Sequence, residues 1–305
     1  MNPTRIAHAA ARTGRLFLCA AGLWAAAPAA HAAISCSISS PGWSTGYQTT
    51  VATTTTGASS VTIDCTRATT DPATQTYSLA ANNGMQPQGQ NNQAISGASL
   101  IKYNEFQNAA LSLVWGPNKA FTGTINFGTG TTASAILTYY YGIAAKQNVA
   151  AGAYTDTVTM TLTYGAATAV NTHPVLVIVN PTCTISTAPT ALSFAYSSLQ
   201  GAPAAASTSF AVTCTNMVPY TAALDAYAVT DSAVNLSYTL NLGQTILPAG
   251  AAYTAGGPLS ATGNGVAQTI SIDGAMAAGQ SGTCATATCT NAASANNIRT
   301  LTITY

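Results

Sequence analysis

The chain has 305 residues, with 8 Lys and Arg set against 7 Asp and Glu, and only 5% of it is charged. Without a basic cluster to neutralise phosphates, nucleic-acid binding is excluded. So little surface charge also gives weak protection against association, which fits a protein built into an assembly better than one kept apart in solution.

The first predicted element is a leader. Arg5, Arg12 and Arg15 precede an apolar stretch from Leu16 to Pro28, and Ala30-His31-Ala32 is a small-x-small cleavage site. The stretch is too short and Ala-rich to span a bilayer well, so residues 1–32 read as a secretory signal. About 273 residues remain, enough for two domains of ordinary size. Of the 7 cysteines, Cys19 leaves with the leader, and the even remainder in an exported chain points to disulfides. The expected pairs are Cys36–Cys65, Cys183–Cys214 and Cys284–Cys289. Each of the first two would close a loop of about 30 residues, worth roughly 3–4 kcal/mol. None has the flanking His or second Cys pair that zinc needs, and no metal or other cofactor is expected.

Beyond the leader the pattern has period two. Val61–Cys65, Thr76–Leu79, Ala135–Tyr139 and Tyr154–Tyr164 alternate in the first half, and Phe210–Cys214, Leu236–Leu240 and Gln268–Ile272 in the second. Gly, Asn and Pro punctuate these runs, so they predict strands and turns. The halves have cysteine pairs at similar spacing and close on similar strands, Thr157–Tyr164 and Arg299–Tyr305. One module is written twice. The fold expected is all-β, two immunoglobulin-like β-sandwich domains. Gly165 to His173 is small and polar and is expected to link them, with Pro174 opening the next strand.

Three stretches carry a family resemblance: Leu100-Ile101-Lys102-Tyr103-Asn104; Trp115-Gly116; and Tyr141-Gly142, Gln147 and Ala151-Gly152-Ala153-Tyr154-Thr155-Asp156-Thr157-Val158-Thr159. They resemble the spore coat protein U domain, the pilin family of archaic chaperone–usher pili. The likeness is strong over 34–164. It is weaker over 182–305, where Cys183, Cys214, Gly274, Gly279-Gln280 and the last Leu-Thr-Ile-Thr-Tyr carry it. The resemblance implies sandwiches that lack their seventh strand. A periplasmic chaperone fills the gap first, and the N-terminal extension of the next subunit fills it later. Two-domain members resemble a tip adhesin.

The residues read the same way. A polymerising subunit needs an alternating apolar arm before its first cysteine. Only Ala33-Ile34-Ser35 stand between the cleavage site and Cys36, too few to span a sandwich. Before Cys183, however, stands Val175-Leu176-Val177-Ile178-Val179, placed as a donor strand within the same chain. Val175, Val177 and Val179 share one face by period two and are expected to point inward. An ordinary seventh strand is the plain alternative. The expected division is a signal at 1–32, an adhesin-type domain at 33–181 with its own donor strand at 174–180, and a pilin-type domain at 182–305 lacking its last strand. Such a domain demands a partner strand.

Catalysis is not expected. His173 is the only histidine left after the leader, it stands in the expected linker, and no nucleophile motif or carboxylate pair accompanies it. Gly128-Thr129-Gly130 has no Lys and no following helix, so it reads as a turn and not a phosphate cradle. Asp156 is expected to fix a turn. The candidate adhesive contacts are the loop aromatics Trp43, Tyr47, Trp115 and Phe121, since exposed aromatics make hot spots at low entropic cost; for Trp115 core burial is the stronger reading. The distal loops are expected near Thr66–Gln75, Asn104–Thr124 and Gly165–His173. The expectation is a fimbrial tip adhesin, exported through the periplasm to the cell surface for attachment and biofilm formation. Its partners would be a periplasmic chaperone, an outer-membrane usher, an adjacent pilin subunit and a surface or receptor. The alternatives are a secreted coat or matrix protein of the same family and a secreted sugar-binding β-sandwich.

Overall fold

The computed structural model describes residues 34–89, 91–243, 255–283 and 297–305; the leader and the Cys284–Cys289 pair lie outside them. Among these residues the helices and sheets reduce to sheets alone. The first set of strands is β1 (Ser35–Ser39), β2 (Trp43–Tyr47), β3 (Thr55–Thr66), β4 (Thr74–Ala81), β5 (Asn92–Ser96), β6 (Ser99–Phe106), β7 (Phe121–Asn126), β8 (Thr132–Ile143), β9 (Gly152–Tyr164) and β10 (Ala167–Val179). One layer runs β1-β3-β8-β6 and the facing layer β7-β4-β9-β10-β2. The β5–β6 hairpin joins them at the side, because β5 also meets β9 at Ile95–Thr155.

Strand alternation builds this sandwich. Along β9, Tyr154, Asp156, Val158, Met160, Leu162 and Tyr164 point in, and threonines at 155, 157, 159, 161 and 163 point out. The inward set meets Ile38, Val61, Ile63, Leu79, Ile101 and Ile143 in one apolar core. A disulfide joins Cys36 to Cys65 across paired β1 and β3. Asp156 does fix a turn: Oδ1 accepts from Met85 N at 2.8 Å and Thr157 N at 2.7 Å, and Oδ2 from the Tyr103 hydroxyl at 2.7 Å. A buried carboxylate is tolerated when its lone pairs are used in this way.

The second set is β11 (Cys183–Thr187), β12 (Ala204–Cys214), β13 (Pro219–Leu224), β14 (Ala228–Asp231), β15 (Leu236–Leu242), β16 (Leu259–Thr262), β17 (Ala267–Met276) and β18 (Leu301–Thr304). Its sheets are β11-β12-β17-β15-β14 and β16-β13-β18. Phe210, Val212, Tyr220, Ala222, Leu240 and Ile270 form their common core, and Cys183 is bonded to Cys214.

The duplication extends to single hydrogen bonds. Gln147 brackets the Lys102 backbone, Oε1 accepting from its N and Nε2 donating to its O, both at 2.8 Å. Gln280 does the same to Ser237, at 2.6 and 2.9 Å. The backbone N of each glutamine donates to a tyrosine hydroxyl at 2.8 Å, Tyr47 in one half and Tyr196 in the other. The residue before each glutamine has left-handed backbone, Lys146 at φ 57° and Gly279 at φ 79°. Tyr196 is therefore the counterpart of Tyr47.

One expectation is corrected. Gly165 to His173 is not a linker. Gly165, at φ +56°, opens a tight hairpin, and the chain returns along β9 in register from Ala167–Tyr164 to Val179–Gly152. Small polar residues look like a linker in sequence, but here they alternate on a strand whose outer face is solvent.

Burial, with the charge of Glu105 adding to it, pushes Tyr139 up to about 12 and Tyr103 further still, where the bond to Asp156 adds to the shift. A raised phenol favours the folded state while it is protonated. That stability is fully present below the ordinary tyrosine value of 10.0 and is lost as pH rises through about 12. We expect the melting temperature to fall steeply over that window, with phenolate absorbance from these two residues appearing only on unfolding.

Candidate functional site

The feature the two halves do not share is the seat beside the closing strand. In the first half β10 occupies it. It pairs antiparallel with β9 along its whole length and parallel with β2, from Val175–Trp43 to Val179–Tyr47. Val175, Val177 and Val179 are 1%, 0% and 1% exposed, and Leu176 and Ile178 lie on the other face. Gly42, at φ +72°, permits the close approach of Pro174: a Cβ there would stand 2.0 Å from the Pro174 carbonyl oxygen. Among the described residues β2 pairs with no other strand, so its pairing depends on β10. Strand β1 leans on β10 as well, through Asn171 Nδ2 donating to Ile38 O at 2.6 Å.

His173 is the last inward residue on β10 before the valines, and it is fully buried. Its Nε2 donates to Glu105 Oε1 at 2.9 Å, and Trp43 Nε1 donates to the same oxygen at 2.8 Å. Glu105 is on β6, in the opposite layer, and is 1% exposed. One carboxylate oxygen thus ties β6 to both β10 and β2. The one histidine among the described residues pairs with this glutamate inside the core, which sequence spacing could not disclose at a separation of 68 residues. Sealed from solvent, the pair can reach no substrate.

In the second half no described residue takes the equivalent seat. Among the described residues β18 pairs only with β13 and β11 only with β12. The consequences run through equivalent positions. Met160, Leu162 and Tyr164 on β9 are buried, whereas Leu301 and Ile303 on β18 are half-buried and Tyr305 is 58% exposed. Ile38 on β1 is 5% exposed, and Ile185 on β11 is 42% exposed. The counterpart of β2 is Leu192-Ser193-Phe194-Ala195-Tyr196, placed by the Tyr196–Gln280 bond. Its burial alternates, Leu192, Phe194 and Tyr196 half in and the residues between them out, yet it forms no strand. It has the pattern of β2 without the neighbour that makes β2 a strand.

The candidate adhesive contacts Trp43 and Tyr47 are not surface residues, and that expectation is corrected; Trp115 is buried, as its stronger reading had it. Trp43, Tyr47 and Trp115 are 7%, 1% and 1% exposed. Trp43 stacks on Tyr141 at 4.0 Å, and Trp115 donates from Nε1 to Leu79 O at 3.0 Å. Phe121 is half-buried against the core, 5.3 Å from Trp115. Large aromatics in a low-charge sandwich go where they remove most area from water, and their N–H and O–H groups find partners there. The loops after β3 and β7 come together instead around Arg67. Its guanidinium donates to Asp71 O, Gly130 O and Gly128 O at 2.6, 2.9 and 3.1 Å and lies 5.4 Å over the Phe127 ring. The Asn104–Thr124 segment is not one of these loops, since Trp115 holds it against the core.

Residues 22–161 match the family model of the Spore Coat Protein U domain. No curated protein matches the chain in sequence. Among solved structures, it is similar to the CsuC–CsuE chaperone–tip adhesion subunit pre-assembly complex from archaic chaperone–usher Csu pili of Acinetobacter baumannii, at 12% identity and TM-score 0.43, covering 89% of this chain and 100% of that one. It is similar also to the CooA pilin subunit from enterotoxigenic Escherichia coli, at 11% identity and TM-score 0.31, covering 48% and 98%. CfaE, the adhesive subunit of CFA/I fimbria of the same organism, gives 13% identity and TM-score 0.29, covering 66% and 76%.

Val177→Asp puts an unpaired charge into the β9–β10 core and should destabilise the first sandwich by on the order of 4 kcal/mol. Ile178→Asp, on the face that is 43% exposed at that residue, should cost less than about 1 kcal/mol. Chemical denaturation of both variants checks the register; equal losses would place both side chains alike.

Proposed function

We propose that this protein is a fimbrial tip adhesin of an archaic chaperone–usher pilus, assembled by donor-strand complementation. The observation that carries the reading is the inequality of the two seats. Residues 33–181 form the adhesin-type domain, complete because β10 is its own donor strand at Val175, Val177 and Val179. Residues 182–305 form the pilin-type domain, whose β11 and β18 edges await a strand. A periplasmic chaperone occupies that seat first. At an outer-membrane usher it gives way to the arm of the adjacent pilin subunit. The arriving strand runs antiparallel to β18 and draws Leu192–Tyr196 into a parallel pair, as β10 does with β2. Each inward side chain would bury apolar area worth roughly 1.5–3 kcal/mol, and the backbone would satisfy two edges at once.

The same reading makes the first domain the part that meets a surface or receptor and supports biofilm. With Trp43, Tyr47 and Trp115 in the core and Phe121 half-buried against it, we place contact on the loops gathered by Arg67. They are small and polar, which favours recognition by hydrogen bonding over hydrophobic adherence.

Refolding of 182–305 with and without a synthetic alternating apolar donor peptide tests the proposal. The domain should aggregate alone. With the peptide it should become a soluble, sharply melting complex. A domain that melts sharply without peptide has a complete sandwich, and the proposal falls in favour of a free-standing secreted module.

A further inference from the structure

The first seat carries a device that the apolar pattern of a donor strand does not require. The inward positions of β10 continue past the three valines to His173, and there the pocket is polar. Glu105 reaches this point from β6, fully enclosed, and its Oε1 accepts from both His173 Nε2 and Trp43 Nε1. Among the described residues Glu105 Oε2 and His173 Nδ1 have no hydrogen-bond partner, so the pair is held by one shared oxygen and the packing around it. Trp115 stacks on the imidazole at 6.2 Å, and Tyr139 lies tilted against it at 5.3 Å.

We infer that His173 and Glu105 make the first domain selective for its own strand. The inference rests on the strand-exchange reading. Wherever chains with open seats are assembled by arriving apolar strands, a filled seat of similar shape risks receiving the wrong one. An alternating apolar strand presents an aliphatic side chain at the His173 position. Glu105 would then keep only its bond to Trp43 while buried without its imidazole partner. Removing one member of a buried pair is far more disruptive than replacing both members by apolar groups. The apolar seat supplies affinity for any alternating strand. The glutamate supplies discrimination, by penalising the strands that lack a histidine. It also disfavours the slip by two residues that would bring Val175, which has no donor, to Glu105.

The test uses the full mature chain with a protease site placed in the Gly165–Ala166 turn. After cleavage β10 stays attached to the second domain, so it competes for the first seat without the advantage of its hairpin. The nicked chain is unfolded and refolded with labelled peptides of equal length. One copies residues 166–180; the other carries His173→Val. Peptide retained with the first domain is measured. The native peptide should be preferred on the order of a hundredfold. In a Glu105→Leu chain the preference should reverse, because the imidazole then becomes the unpaired group. Equal capture of both peptides by the unsubstituted chain, or the same preference with Glu105 and with leucine, overturns the inference and leaves the strand-seat reading standing. If even the native peptide is refused, the first seat does not exchange strands and the inference falls, while the second seat is judged by its own refolding test. Generic destabilisation by Glu105→Leu lowers capture of both peptides and does not reverse their order.

Discussion

A β-strand in the middle of a sheet has two edges to satisfy. Everything distinctive about this protein follows from how its two closing strands meet that requirement. Strand β9 spends one edge on β4 and β5 and the other on β10. Strand β18 spends one on β13, and no described residue takes the other. The effects reach well beyond the ladder. With β10 in place, β2 becomes a strand, β1 is held, and the closing-strand side chains sink to near zero exposure. Without such a neighbour the equivalent residues of the second half stay half out of water. Leu192–Tyr196 keeps its alternation but not its pairing. Two copies of one module differ in order because one strand is present in the first.

That strand is also where sequence reading was both strongest and most mistaken. Val175 to Val179 announces a buried strand by period two, and the inward set is as expected. What precedes it was misread. Ala167 to Thr172 is small, polar and unremarkable, so it resembled a linker. Its role depends on Tyr164 and Gly165 folding it back on β9, a pairing that composition does not encode. His173 shared the error. Its partner is 68 residues away on the opposite layer, and only closure of the sandwich brings the two together. The Cys36–Cys65 and Cys183–Cys214 bonds and the repeat, by contrast, were legible, because spacing within each half is local and survives folding unchanged.

The aromatics show a second limit of local reading. Trp43 and Tyr47 lie close to Pro41 and Gly42, which mark a turn. A turn says nothing about which way its side chains point. Tyr47 points in because its hydroxyl donates to Ala144 O at 2.9 Å and accepts from Gln147 N. The useful signal was the glutamine, which precedes the closing strand in both halves. Gln147 and Gln280 repeat one hydrogen-bond pattern, and recognising them as equivalent locates Tyr196, and through it the segment that a partner strand would engage.

Low charge, met first as a liability, is consistent with this architecture. The outer face of β9 is a row of threonines at 155, 157, 159, 161 and 163. Their β-branched side chains favour the strand, and their hydroxyls keep it wetted without a net field. Charge is kept for special tasks: Asp156 anchors a turn, Arg67 gathers a loop cluster, and Glu105 is buried where β10, β2 and β6 meet. A strand that enters by apolar contact alone would be indifferent to its neighbours' identity. On the proposed reading, one buried carboxylate makes the first seat depend on a particular partner, while Leu301, Ile303, Ile185 and Phe194 offer a strand arriving at the second an apolar lining with no comparable charge among the described residues, which would suit strands that differ in sequence but share their period.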